Sequence, residues 1–420
     1  MELSTQSVAG PRVILDVVAG PYAGTRFEYA GHDTLLVGRG ADTNLQLIDD
    51  AQLSRHHLIL EFNPPRVYLR DLGSSNGTRV NGRMVQESFL KDGDEIACGE
   101  TRMVVSLPGE LETISARQRS LHDASTRSGI RASGPTPPPP DELPAVVPGY
   151  DVIRELGRGG MGLVYLARQQ AGGREFAIKI MLPESAASEF ATKLFLREVS
   201  VLSKLDHPNI VRYHEMGSAL GQFYFVMEYV PSRELAELLS QLPRGRRVSF
   251  ACEVIAQALD GLAYAHDAGI VHRDFKPSNL LVEMSGSVPR VKVSDFGLAK
   301  SFEDAGLSGM TLSGQVRGTL AFMAPEQLTH CRDARPPADI YAAGASLYAL
   351  LSGRPPLAAR SGRDIIRVVL EDEPRRLDQV CPELPAELVK VVHKALEKNP
   401  AKRFKDAAAM RRALEPFLSA

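Results

Sequence analysis

The stretch Val271–Asn279 reads Val-His-Arg-Asp-Phe-Lys-Pro-Ser-Asn and holds three groups whose chemistry fits together. Asp274 is a carboxylate that can orient a hydroxyl, Lys276 is a cation two positions on, and Asn279 offers an amide oxygen to a hard divalent ion. An acceptor for a hydroxyl, a cation near a moving phosphate and a magnesium ligand are what phosphoryl transfer needs. A second acid, Asp295 in Asp295-Phe296-Gly297, closes the strand-like run Val291-Lys292-Val293-Ser294. Upstream, Lys179 ends Phe176-Ala177-Ile178-Lys179. Before it, Leu156-Gly157-Arg158-Gly159-Gly160-Met161-Gly162-Leu163-Val164 has the spacing Gly-x-Gly-x-x-Gly-x-Val. Glycines there let a backbone close over phosphates without side-chain obstruction.

These groups need a frame. The glycine turn runs into strand-like Val164–Ala167 and a second strand ending at Lys179, whereas a dinucleotide-binding turn would open a helix. A helix is expected over roughly Ala187–Leu205, with Glu198 set among apolar residues at helical spacing. Phe223–Val230 reads as a strand leading to a hinge, and Phe250–Ala268 as a helix before the acidic loop. Ile340–Leu351 and Leu388–Leu396 carry helical periodicity and complete a mainly α lobe.

In this order the motifs resemble eukaryotic-type protein kinases, in the bacterial form of that family, over residues 149–418. The resemblance implies an α+β bilobal fold that uses ATP with Mg2+, or Mn2+ as the alternative ion. It implies that Lys179 meets the α- and β-phosphates and pairs with Glu198. Leu156, Gly157, Gly159, Gly160, Gly162, Val164, Ala177, Glu228 and Val230 would line the nucleotide cleft. Asp274 and Lys276 would act on the substrate hydroxyl and the phosphate, while Asn279 and Asp295 would hold the metal. Asp-x-Lys-Pro-x-x-Asn, with Gly318-Thr319 ahead of Ala324-Pro325-Glu326, resembles the serine/threonine class, in which the Thr319–Glu326 segment seats the peptide. The family pattern also gives structural roles: Thr319 near Asp274, a Glu326–Arg403 ion pair, Asp339 as the brace of the catalytic loop, and Arg273 as the dock for a phosphate. That phosphate would come from autophosphorylation of Thr311, with Ser313 second, inside the activation segment Asp295–Glu326. Phe275 and Phe176 depart from the commoner residues without removing a chemical group.

Residues 10–108 have a different texture. Short apolar runs (Val13–Val18, Arg26–Tyr29, Thr34–Val37, Leu45–Ile48, Leu58–Phe62, Val67–Leu69, Glu95–Cys98, Met103–Leu107) alternate with turn chemistry such as Asn-Gly at 76–77 and 81–82. This predicts an all-β sandwich. Gly38-Arg39-Gly40, Ser54-Arg55-His56-His57 and Gly73-Ser74-Ser75-Asn76-Gly77-Thr78 follow one another on its loops. Together they resemble a forkhead-associated (FHA) domain, a phosphothreonine-binding module. The resemblance implies that Arg39, Ser54, Arg55, Ser75 and Asn76 line a phosphopeptide site and that His57 braces the loops from behind.

Between the two lies 109–148, rich in Pro and Ser with Pro135-Thr136-Pro137-Pro138-Pro139-Pro140, and expected to be a flexible linker. The chain is thus multidomain: sandwich, linker, bilobal lobe. A net charge of −2 over 420 residues argues against a nucleic-acid partner. Scattered cysteines, a polar start and the lack of a long apolar run predict a soluble, cytoplasmic protein without a membrane span. Its partners would be protein substrates, together with phosphothreonine-containing proteins or its own phosphorylated segment. A pseudokinase scaffold would be favoured by loss of Lys179, Asp274, Asn279 or Asp295, and all four are present. A small-molecule phosphotransferase is disfavoured by the complete Thr319–Glu326 segment.

Overall fold

The computed structural model describes residues 12–30, 33–63, 66–108, 147–159, 162–181, 199–219, 222–286, 288–296, 320–329, 335–359 and 363–418. Residues 109–146 of the expected linker, Gly160, residues 187–198 of the expected helix with Glu198, Thr311, Ser313 and Thr319 lie outside them.

The N-terminal unit is two facing antiparallel-rich sheets. One holds β1 (Arg12–Ala19), β2 (Arg26–Ala30), β7 (Thr78–Val80), β8 (Arg83–Val85), β10 (Glu95–Cys98) and β11 (Thr101–Ser106), ordered β2-β1-β11-β10-β7-β8. The other holds β3 (Asp33–Gly38), β4 (Leu45–Gln46), β5 (Leu58–Asn63), β6 (Arg66–Asp71) and β9 (Glu87–Leu90), ordered β4-β3-β5-β6-β9. Alternation along β1 buries Val13, Leu15 and Val17 against Leu58, Leu60, Phe62, Val67 and Leu69 of the facing sheet. Strands β7, β8 and β9 escaped the apolar-run criterion because they are short and polar-edged.

The second unit opens with a five-stranded sheet, ordered β12-β13-β14-β16-β15, of β12 (Tyr150–Gly159), β13 (Gly162–Gln169), β14 (Glu175–Met181), β15 (Tyr213–Ala219) and β16 (Gln222–Glu228). Val147, inside the expected linker, is buried under this sheet with Tyr150, Tyr165 and Phe176, so the folded lobe begins earlier than the composition change suggests. The described part of the expected α-helix holds a short 3-10 helix, Ser200–Lys204.

The helical lobe carries β17 (Leu280–Ser285) paired with β18 (Val288–Val293). Its described helices are α1 (Leu235–Gln241), α2 (Arg244–Asp267), α3 (Pro325–Thr329), α4 (Pro336–Ser352), α5 (Ile365–Glu371), α6 (Leu377–Val380), α7 (Ala386–Ala395) and α8 (Ala407–Leu414). Helix α2 is long and apolar enough by composition to cross a membrane, but its apolar residues are buried against β18, α4 and α8, as in a core helix. Gly353, at φ 73°, ends α4 in the left-handed conformation that glycine takes without penalty.

The two units touch. Strands β3, β5 and β6 are apolar on both faces: Leu35, Leu60 and Leu69 enter the sandwich core, while Leu36, Ile59 and Tyr68 face out. A one-faced sandwich strand would present polar side chains there. Instead, with Leu72, they pack against Leu320, Leu328, Leu357 and the near-continuous apolar run of α5. Asp364 accepts the Ile366 N–H at 2.8 Å as the N-cap of α5 and also accepts Arg70 Nε at 2.8 Å from the sandwich. The linker is therefore not the sole connection between the units.

Candidate active site and phosphopeptide cradle

Asp274, Lys276 and Asn279 are bonded to one another in one loop. Lys276 Nζ lies 3.1 and 2.9 Å from the two Asp274 carboxylate oxygens. Asn279 Nδ2 donates to the Asp274 carbonyl at 2.8 Å, which leaves its amide oxygen to serve a cation. The Ser294 N–H donates to the Asn279 carbonyl at 2.9 Å, so the loop is stitched to the segment carrying Asp295.

Asp339, at the start of α4, holds this loop from beneath. Its two oxygens accept the backbone N–H groups of His272 at 2.8 Å and Arg273 at 2.9 Å, and His266 Nε2 sits 2.7 Å away. Among the described residues only Asn81, Arg273 and Asp295 combine a side chain with positive φ. Two of them, Arg273 at 66° and Asp295 at 61°, lie in the candidate site. Such backbone costs about 1–3 kcal/mol and persists only where surroundings over-determine it. Fully buried His272 is one such surrounding: its Nε2 is 2.9 Å from the Ser294 carbonyl and its ring lies 4.6 Å from that of Phe296.

Across the cleft, Lys179 on β14 reaches Asp295 with Nζ–Oδ1 2.8 Å. Desolvation in the cleft pushes the Asp295 carboxyl up, but the Lys179 charge and hydrogen bond, then His272 and Lys276, outweigh it and hold the carboxyl below its ordinary value. An ionised carboxylate and an amide oxygen are the hard donors that Mg2+ takes, so Asp295 and Asn279 fit that ion. Gly159 and Gly162 face each other at the tip of the β12–β13 hairpin. At φ 144°, Gly162 brings its backbone so close to β14 that a Cβ would stand 1.9 Å from the Ile180 oxygen. Leu156, Val164 and Ala177 are half-buried, as cleft-lining residues are, and Gly157 is exposed. The Glu228 carboxylate is turned away, onto Lys292 Nζ at 2.7 Å and the Arg212 N–H at 2.9 Å, so only its backbone would be left to serve a nucleotide. The Val230 carbonyl accepts the Ser232 N–H at 2.7 Å.

Arg403, with its side chain fully buried, grips Glu326 in a fork, Nη1–Oε1 2.6 Å and Nη2–Oε2 2.8 Å. It also donates to the carbonyls of Glu397, Pro337 and Lys398. The sequence reading missed Gln327, whose Nε2 donates to the Arg273 carbonyl at 2.8 Å and ties α3 to the catalytic loop. Its position one residue after Glu326 was the available signal.

On the sandwich, the three loops meet. The Arg39 N–H donates to the Ser54 carbonyl at 3.2 Å and the Gly40 N–H to the Arg55 carbonyl at 3.0 Å. The Ser75 N–H donates to Ser54 Oγ at 3.0 Å, and Asn76 Nδ2 donates to the Gln52 carbonyl at 2.7 Å. Arg39, Arg55, Ser75 and Asn76 are exposed, so these meeting loops present two arginine side chains together with hydroxyl and amide groups. His57 stands behind with no exposed surface: its Nδ1 accepts the Ser54 N–H at 3.2 Å and its Nε2 faces the Gly77 carbonyl at 3.3 Å. Burial pushes its pKa down, and the neutral ring matches these two partners. Asp71, also unforeseen, accepts the Gly73 and Ser74 N–H groups and the Ser74 and Thr78 hydroxyls, fixing the third loop.

A family model described as a protein kinase domain matches residues 150–414, and one described as an FHA domain matches residues 35–99. The serine/threonine-protein kinase PknJ of Mycobacterium tuberculosis is 39% identical over 269 residues, covering 63% of this chain and 44% of that protein. The serine/threonine-protein kinase pkn2 of Myxococcus xanthus is 35% identical over 276 residues, covering 64% of this chain and 32% of that protein. The chain thus spans less than half the length of these relatives. The crystal structure of a double mutant of the M. tuberculosis PknI kinase domain superimposes with a TM-score of 0.51 at 28% identity, covering 65% of this chain and 97% of that one.

Proposed function

We propose that this chain, which belongs to the protein kinase family through residues 150–414, is a serine/threonine protein kinase whose N-terminal FHA domain reads phosphothreonine. The observation that carries the reading is the convergence of Lys179, Asp295, Asn279, Lys276 and Asp274 on one cleft from three separate stretches of sequence. Bound Mg2+ would supply a positive charge that draws the phosphates together and offsets the charge gathering on the transferred group. Lys179 would orient the α- and β-phosphates, and Asp295 and Asn279 would hold the ion. Asp274 would accept the hydrogen bond of a serine or threonine hydroxyl and aim its oxygen at the γ-phosphorus. Lys276, already on Asp274, stands where it can neutralise the phosphoryl oxygens. The Asp-x-Lys spacing and the names of the similar kinases support the serine/threonine class. The cytoplasm, with its Mg·ATP, is the proposed place of work.

The reading extends to autophosphorylation of Thr311 or Ser313, with Arg273 as the receiver of the phosphate. Purified protein incubated with Mg·ATP and mapped by mass spectrometry tests it beside Asp274→Asn. Phosphoserine or phosphothreonine in the parent and none in the variant is expected. Phosphate in neither, on itself or on a generic protein substrate, would defeat the kinase reading and leave a scaffold. For the FHA half, fluorescence polarisation should show a phosphothreonine peptide binding and its unphosphorylated twin not binding, with loss of binding in Arg55→Ala.

A further inference from the structure

The cradle and the kinase interface are built from the same three loops. Asn44, five residues past Arg39, donates through Nδ2 to the Thr329 carbonyl of α3 at 2.5 Å. His56, next to Arg55, has Nδ1 3.2 Å from Glu371 Oε1 at the end of α5 and Nε2 2.9 Å from Asp42 Oδ2 on the first loop. The carbonyl of Gly73, two residues before Ser75, accepts Arg367 Nη1 of α5 at 2.7 Å. Each loop therefore shows solvent its phosphate-binding side chains while its neighbouring residue is bonded to the helical lobe. Beneath lies the apolar seam of Leu36, Ile59, Tyr68 and Leu72 against α5 and Leu320.

Leu320 matters for what the docked sandwich can do. It opens the run to Glu326, where a kinase seats the peptide it phosphorylates, and it shares one apolar cluster with the sandwich. That run is followed by Thr329, whose carbonyl is bonded to Asn44, so it ends beside the loops that carry the two exposed arginines. We infer that the sandwich is a fixed docking platform for primed substrates. On this inference the chain acts preferentially on polypeptides already bearing a phosphothreonine, held on Arg39, Ser54 and Arg55 while a second hydroxyl meets Asp274. The inference rests on the phosphothreonine reading of the sandwich and adds the geometry of its use. A sandwich on a free tether would raise the local concentration of any primed polypeptide whatever its spacing. A docked one rewards a single span between phosphothreonine and acceptor, because both anchor points are fixed.

The test uses the full chain and a peptide series with one acceptor serine and a phosphothreonine at increasing distance on either side. A KM lower by at least about tenfold than for the unphosphorylated twins is expected within a narrow range of spacings and nowhere else. Two variants attack the seam from opposite sides: Arg70→Glu, which faces Asp364 with a like charge, and Ile366→Glu on α5. Either should erase the spacing optimum while phosphopeptide binding by polarisation and turnover of the unprimed peptide persist. Retained binding reports that the sandwich is still folded, and retained turnover reports the same of the lobe. Binding without any priming gain, a gain flat across spacings, or an optimum that survives both variants would overturn the platform and leave the phosphothreonine reading standing. No phosphopeptide binding at all would overturn both.

Discussion

Asp339→Asn removes one oxygen and its charge from beneath the catalytic loop at almost constant volume. The aspartate is 1% exposed and serves the His272 N–H, the Arg273 N–H and His266 at 2.8, 2.9 and 2.7 Å. The asparagine oxygen can take the place of one carboxylate oxygen only. Its NH2 group must then face at least one of these N–H groups, donor against donor. Hydrogen bonds to a charged acceptor contribute about 1.5–3 kcal/mol, and a buried donor left unsatisfied costs about 1–3 kcal/mol. A loss of roughly 2–4 kcal/mol follows, which in a lobe of this size lowers Tm by roughly 10 °C. The effect on turnover is larger than stability alone implies. Arg273 sits at φ 66°, and once its N–H is released the backbone relaxes and carries neighbouring Asp274 with it. A displacement of about 1 Å at a reacting group costs on the order of 100-fold in rate. Differential scanning fluorimetry, steady-state kinetics and nucleotide binding should therefore show a lower Tm, kcat down about 100-fold and ATP affinity little changed, since Asp339 touches nothing in the nucleotide cleft. Asp378→Asn, on the exposed Arg376–Asp378 pair, is the matched control and should change none of these. If Asp339→Asn behaves like that control, the bracing argument is wrong.

Three further outcomes are expected. Arg403→Ala strands Glu326 and several carbonyls and should cost about 3–5 kcal/mol by denaturant unfolding, whereas the paired change Arg403→Met with Glu326→Leu should cost less than the single change; equal losses would refute the buried-pair reasoning. Gly162→Ala places a Cβ 1.9 Å from the Ile180 oxygen at a φ that only glycine adopts readily, so KM for ATP should rise while phosphopeptide binding by the sandwich is unchanged. Burial holds His57 below the ordinary imidazole pKa, so the unfolded chain binds its proton first. The stability tied to this neutral ring is present above about pH 6.5 and is lost as pH falls toward the folded value. Phosphopeptide binding followed through urea at pH 7.5 and 5.5 should show an earlier midpoint at the lower pH, and His57→Asn should flatten that difference.

Much of the candidate active site was legible in the chain because its groups lie close together in sequence. Asp274, Lys276 and Asn279 lie within one short loop, and a spacing of that kind constrains geometry before any long-range contact forms. The same holds for glycines at turns, for the FHA loop clusters and for the apolar periods of α2 and α4. Residues whose roles depend on what lies across a gap were harder to read. Gln327 and His266 look ordinary in sequence and gain meaning from the catalytic loop packed against them.

The interface between the halves was the least legible feature, although a trace of it was present. Leu35-Leu36-Val37 and Leu58-Ile59-Leu60 run apolar without alternation, a pattern that says both faces of a strand are covered but not by what. The composition of 109–148 suggested independent bodies on a tether. Tertiary structure decided otherwise, because the outward Leu36 of β3 and Ile59 of β5 and the near-continuous apolar run of α5 each carry a surface that water disfavours. Sequence pattern determines how much apolar surface an element must hide. Only the folded chain decides which distant element hides it, and here that choice sets the loops of the FHA domain against the kinase lobe.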